Sequence, residues 1–242
     1  MKAAAAARGA PSCAAVIRRI RALGDPRSVA GMARYGIRPR KAYGLSAARI
    51  RALARDLGKN HELAQELWAT GIREAMHVAT LIEEPERVTA AQMERWARGF
   101  DSWDAVDGCC CHLLVFTPHA WDKAVAWSGR DAMFVKRAGF ALMAYLAVHD
   151  QQAPERCFER LLPLIRRASV DPRDLVKKAV NWALRQIGKR SPRLNRRAIE
   201  TAEHIRRLDS PAARWIAADA LRELRSAAVQ QRLRARAQPA RY

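Results

Sequence analysis

Apolar residues recur along this chain at the three-and-four spacing of an α-helix, and nowhere in the strict alternation of a half-buried strand. A capping residue followed by proline occurs at Asp25-Pro26, Thr117-Pro118, Asp171-Pro172 and Ser210-Pro211. Proline is tolerated at a first helical position because the N–H it lacks would have no partner there. Thr89-Ala-Ala-Gln92 has the form of a capping box. Ser46 suits the start of a helix that Gly58 stops. No β-branched run is bounded by Asn-Gly or Asp-Gly turns.

The pattern predicts an all-α chain with short helices over 13–23, 27–35, 47–57, 61–69, 72–82, 90–98 and 103–116. Further helices are predicted over 118–127, 132–148, 154–167, 172–187, 195–208 and 211–225. Helix starts near Asp131, Asp171 and Ser210 recur at about 40 residues, the period of a two-helix HEAT-type repeat. Connections are short, which favours antiparallel neighbours. The expected architecture is a HEAT-like solenoid with a concave basic face, and a globular helical domain is the alternative. A single domain is predicted over 13–229, between a flexible Ala-rich leader at 1–12 and a frayed basic tail at 230–242.

Charge points this scaffold toward a polyanion. The formal net charge is +20, from 44 Lys and Arg against 24 Asp and Glu. Nucleic acid is the expected partner, with an anionic membrane surface the weaker option. No apolar run approaches the ~20 residues of a membrane span. The opening Met1-Lys2 and its alanines lack the apolar segment of a signal peptide. Of five cysteines three are adjacent, Cys109 to Cys111. Neighbours on a helix point about 100° apart, so these thiols and His112 cannot converge on one metal ion. They read as small buried residues in a reducing compartment. The expectation is a cytoplasmic, bacterial, nucleoid-associated protein, a monomer, with no metal and no cofactor.

Three stretches carry candidate chemistry. In Asp101-Ser-Trp-Asp-Ala-Val-Asp107, Ser102 suits an N-cap, and Trp103 and Asp107 share one helical face. In the helix predicted over 172–187, Val176, Val180, Ala183 and Ile187 form an apolar stripe. Lys178, Trp182, Arg185 and Lys189 follow one another on the other side at steps of four, three and four. The bland reading is an indole packed on the next repeat among solvated cations; a stacking residue in a phosphate-binding stripe accounts for all four together. Arg137 begins a helix without charge from residue 138 to 148. It reads either as an arginine snorkelling to solvent or as a fixed phosphate ligand.

The blocks DSWDAVDGCC, FVKRAGFALMAYLAVHD, LVKKAVNWALRQIGKR and ARWIAADALREL, with MARYGI and GIREA, resemble the DNA alkylation repair glycosylases built from HEAT-like repeats. The similarity runs over roughly 25–225, with its blocks in the same order. It implies an all-α solenoid that excises N3- and N7-alkylated purines from duplex DNA. It places the family's tryptophan and aspartate on Trp103 and Asp107, its second tryptophan on Trp182, its arginines on Arg137 and Arg185, and its N-terminal aromatic on Tyr35. Members that have lost the acid or an aromatic bind DNA without excising a base; here the set is retained. The expected activity is that of a monofunctional glycosylase, with Asp107, Trp103 and Trp182 at the reacting nucleotide. Arg137, Lys178, Arg185, Lys189 and Tyr35 are expected to contact DNA. The rival readings are a non-catalytic solenoid for bent or branched DNA, a protein-binding scaffold and a metal-dependent nuclease.

Overall fold

The computed structural model describes residues 11–237. The leader expected at 1–12 therefore lies outside the described residues except for Pro11 and Ser12, as does the stretch 238–242. Among the described residues all regular elements are helices. The contacts divide the chain into two compact units, between Thr117 and Pro118.

The first unit holds α1 (Cys13–Ala22), α2 (Pro26–Met32), α3 (Ala47–Leu57), α4 (His61–Ala69), α5 (Arg73–Ile82), α6 (Ala90–Ala97) and α7 (Trp103–His112). Its centre is α5, which packs against α1, α3, α4 and α7. Ala75 and Ala79 are fully buried on α5 and let its neighbours approach closely. Two buried carboxylates hold the surrounding chain. Glu74 accepts from the backbone N–H of Tyr43 (2.9 Å) and Gly44 (2.8 Å), fixing the loop before α3. Glu83 accepts from His61, Gln65 and Gln92, at 2.6, 2.6 and 2.7 Å, and so ties the end of α5 to α4 and α6. Burying a charge is costly unless its lone pairs are filled, and both acids meet that condition.

On α7, Asp104 receives Nε (2.7 Å) and Nη2 (2.6 Å) of Arg73 and faces Nε2 of His77 at 3.2 Å. Burial raises its pKa, but the His77 bond and the Arg73 charge outweigh that and hold it below the ordinary carboxylate range. Gly108, one turn on, lies against the His77 ring, where a Cβ would come within 3.0 Å. Cys109 and Cys110 are fully buried, and burial raises the Cys109 thiol well above its usual value.

The second unit comprises α8 (Ala120–Ser128), α9 (Met133–His149), α10 (Glu155–Glu159), α11 (Leu162–Ala168), α12 (Asp174–Gly188), α13 (Pro192–Arg206), α14 (Pro211–Leu224) and α15 (Ala227–Ala237). Helices α9, α12 and α14 pack in succession; α11 touches α8 and α13, and α13 packs on α12 and α14. Long helices begin at Met133, Asp174 and Pro211, close to the predicted repeat starts. Gly139 meets the end of α8, where a Cβ would lie 2.5 Å from the Ser128 nitrogen. Only glycine permits that approach.

Several boundaries move for physical reasons. The helix expected over 103–116 ends at His112, and Leu114–Phe116 forms a 3₁₀ turn closed by the Thr117 hydroxyl, which donates to the Leu114 carbonyl at 2.8 Å. Thr117 is thereby used backwards, and α8 starts at Ala120. The helix expected over 154–167 splits into α10 and α11. Pro163 cannot donate to the carbonyl four residues back, so a continuous helix would break there. Ser102 occupies the N-cap position but makes no capping bond. Thr89 accepts from the Gln92 N–H, while the Gln92 amide turns to Glu83, so only half the capping box forms. Helix α13 starts earlier than the predicted 195, because Ser191 caps it and Pro192 opens it. The tail expected to fray from 230 is instead helical from 227 to 237, with Val229 and Leu233 buried.

Asp104→Asn is expected to lower stability by about 3 kcal/mol at neutral pH, read by urea unfolding, because Arg73 loses a buried partner. The folded pKa lies below the unfolded value, so this contribution is complete above the unfolded value and is lost as pH falls through the folded one. A gap between the two proteins that ignores acidification would disprove the ionic origin. Leu233→Ala is expected to cost about 2 kcal/mol and to speed amide exchange across 227–237. Wild-type exchange there at the rate of unstructured chain would instead mean that α15 is frayed.

Candidate functional site

In the first unit the side of α7 beside α5 is occupied by Asp104 and Gly108, which leaves Trp103 and Asp107 together on an adjoining face. Both are half-buried. The Trp103 indole N–H donates to the Tyr35 carbonyl at 2.9 Å. Tyr35 sits on the 3₁₀ turn Ala33–Tyr35 that ends α2, which Gly36 closes in the left-handed region with φ 69°. Tyr35 is 74% exposed. Two elements far apart in sequence thus bring Tyr35 and Trp103 together, and the bond fixes the indole plane. Asp101, at the same end of α7, accepts from the Arg40 N–H at 2.8 Å and orders the loop after that turn. Asp101 and Asp104 of the DSWDAVD block are thus engaged in structural bonds.

In the second unit α9 and α12 carry the remaining candidates. Arg137 is only 7% exposed, and its Nη1 donates to the Leu175 carbonyl at 2.7 Å. It does not snorkel; it links α9 to the first turn of α12. Lys136 points away, to Asp171 at 3.0 Å. Asp171 is held below the ordinary range by hydrogen bonds from Arg173 and then Lys136, which outweigh the opposing effect of burial. Trp182 stands edge-on to Tyr145, with ring centroids 4.8 Å apart and planes at 84°. Val176, Val180, Ala183 and Ile187 are all fully buried, as the apolar stripe requires.

The cationic stripe divides. Lys178 is exposed and Trp182 half-exposed, while Arg185 and Lys189 turn to α14. There they belong to a ladder at steps of four. Lys177 lies 5.0 Å over the Trp215 ring, and Asn181 donates to Asp219 at 2.7 Å. Arg185 pairs with Glu223 and lies 3.5 Å from Asp219; Lys189 meets Glu223 at 2.6 Å. Burial raises the Glu223 pKa, but the Lys189 bond and the Arg185 charge lower it further. These two cations are thus partly neutralised in the unliganded protein.

Four residues beside these candidates, Tyr145, His149, Asp219 and Glu223, escape the reading of the sequence. Tyr145 and His149 lie with ring centroids 6.1 Å apart and planes tilted by 39° on the aliphatic run of α9, and two rings four residues apart there are the signal that could have found them. Asp219 and Glu223 show the same spacing, but their pairing with α12 is tertiary. Among the described residues no group of three or more His, Cys, Asp or Glu is placed to hold a metal ion. No helix among them is long and apolar enough to cross a membrane.

No curated protein matches the chain. One solved structure aligns with a TM-score of 0.74 and 21% identity, covering 92% of this chain and 96% of its own. It is described as coming from a new family of proteins related to the HEAT-like repeat DNA glycosylases, with affinity for branched DNA structures. This likeness gives the fold: all-α, of the HEAT-like repeat type. The family model described as DNA alkylation repair enzyme matches residues 16–224, most of the chain, and the protein belongs to that family.

Proposed function

We propose that the protein is a monofunctional glycosylase that hydrolyses the N-glycosidic bond of cationic N3- or N7-alkylated purines in duplex DNA. The observation that carries this reading is the face of α7. It sets Asp107 one turn from an indole oriented by the Tyr35 carbonyl.

Alkylation at N3 or N7 leaves the purine cationic and already an activated leaving group, so little general-acid help is needed. As the bond breaks, positive charge develops on the deoxyribose. A carboxylate already in place beside it stabilises that charge without any reorganisation at the moment of reaction, the strongest help a protein usually gives. Asp107 takes that role and orients the attacking water. Trp103 presents an electron-rich face to the sugar or the lesion, and Trp182 presents one to bound DNA from the second unit, each contributing about 0.5–2 kcal/mol. Lys178 holds a backbone phosphate, and Arg185 and Lys189 reach phosphates by exchanging from Glu223. Arg137, buried between α9 and α12, adds positive potential to the DNA-binding face, and Tyr35 offers an exposed ring to the strand.

A second reading is binding of branched DNA without base excision. The fold likeness to a protein described as having affinity for branched DNA favours it. The two readings separate on the carboxylate, which binding alone does not require.

Release of N7-methylguanine from duplex DNA in EDTA is expected from the wild type. It should fall by about two orders of magnitude or more in Asp107→Asn with duplex binding retained. No release by wild type, with tight salt-dependent binding, would establish the binding-only reading. Glu223→Gln should remove the carboxylate from Lys189 and leave Arg185 with Asp219 alone, and so tighten duplex binding, with a steeper fall of affinity with salt, by about 0.9 in log–log slope per phosphate gained. An unchanged slope would show that neither cation reaches DNA.

A further inference from the structure

The second unit contains a cleft of about 350 Å³ that meets the site above at Lys189 and otherwise lies beyond it. One wall is α15, the segment whose sequence predicts a frayed tail. Its rim carries Lys189 and Arg190 from the end of α12 and Arg232 and Arg236 from α15, with Gln186 beside them and Val229 in its apolar part.

Among the described residues, three of these four cations donate to neutral acceptors. Arg190 donates to the carbonyls of Ala147 (3.2 Å) and Ala153 (3.1 Å), with its guanidinium 4.4 Å over the Phe158 ring. Arg232 donates to the Ala228 carbonyl at 3.2 Å, and Arg236 to the carbonyls of Lys189 and Arg190, both at 3.3 Å. Lys189 shares Glu223 with Arg185. Asp150 and Glu155 act on Arg190 from a distance, while burial and Arg236 oppose its charge.

Capping of the negative end of α12 accounts for Arg236. It does not account for Arg232, nor for cations from two helices gathered around one cavity. Like charges held together repel, and an anion with several oxygens relieves that repulsion while using the remaining guanidinium N–H groups.

We infer that this cleft seats a backbone phosphate of bound DNA. Gln186 lies four residues beyond Trp182 on α12, about 6 Å along the helix axis. The inference rests on the DNA-binding part of the function proposed above, and not on base excision.

The test compares duplex affinity against salt for the full chain and for Arg232→Gln/Arg236→Gln. The exposed pair Arg156→Gln/Arg160→Gln serves as a charge-matched control. The first variant should bind more weakly and lose about 0.9 from the log–log slope, as one phosphate contact requires, while the control keeps the wild-type slope. A wild-type slope in the first variant, or an equal loss in the control, overturns the assignment. Arg232→Gln alone, whose bond is to its own helix, gives the same reading should loss of the α12 cap unfold the double variant. A melting temperature raised by inorganic phosphate in wild type and not in the variant, with the DNA slope unchanged, would assign the cleft to free phosphate and also overturn it. Wild-type protein that fails to bind duplex at low salt would sink the DNA-binding reading itself, a result distinct from an unchanged slope.

Discussion

One buried charge sets how α7 is turned about its axis. Asp104 can stay ionised inside the first unit only while Arg73 and His77 of α5 remain on it. A rotation of α7 by one residue, about 100°, would take that carboxylate away from both partners. It would also drive a larger residue into the place where Gly108 meets His77. With this side pinned, the direction of Trp103 and Asp107 follows. The Tyr35 carbonyl then needs only to hold the indole plane. The position of the proposed catalytic acid thus depends on a neighbouring acid that takes no part in the chemistry.

The second unit handles charge in the opposite way. Arg137 is buried on a backbone carbonyl, and the α12–α14 ladder sets Asp219 and Glu223 against Arg185 and Lys189. A net charge of +20 destabilises a compact chain through self-repulsion, and carboxylates placed where the helices meet reduce it locally. Partly exposed pairs of this kind add little stability by themselves. They hold the long Arg185 and Lys189 side chains toward α14, which under the proposed function lowers the entropy lost when a phosphate replaces the carboxylate.

The fold was legible in the sequence because its signals are local. Ser46, Asn60 and Ser210 cap helices through their own side chains, and the predicted spans 47–57 and 61–69 coincide with α3 and α4. Boundaries slipped where a tertiary contact or a second proline effect competed, as at Thr117 and Pro163. Of the site, the Trp103–Asp107 face was legible from spacing alone, and the apolar stripe of α12 likewise. The approach of Tyr35 to Trp103 spans 68 residues, and here only resemblance to a family pointed to the tyrosine. Periodicity could not show that Lys178 and Lys189 face different neighbours, because a stripe drawn on one helix ignores the acids of the next. The α15 helix was missed for a related reason: its isolated pattern is dominated by arginine, and its burial rests on Val229 and Leu233 docking onto helices already formed.

The Cys109-Cys110 pair gives α7 a chemical property of another kind. Electrophiles that transfer alkyl groups attack thiolates far faster than neutral thiols. Burial that keeps the Cys109 thiol protonated, with no exposed surface, removes both the reactive form and access to it. The core of α7, about one and a half turns of which follow Asp107, is therefore shielded from acquiring a bulky group when alkylating agents are present. Cys111, at the partly exposed edge of the same run, is the thiol of α7 that such a reagent can reach.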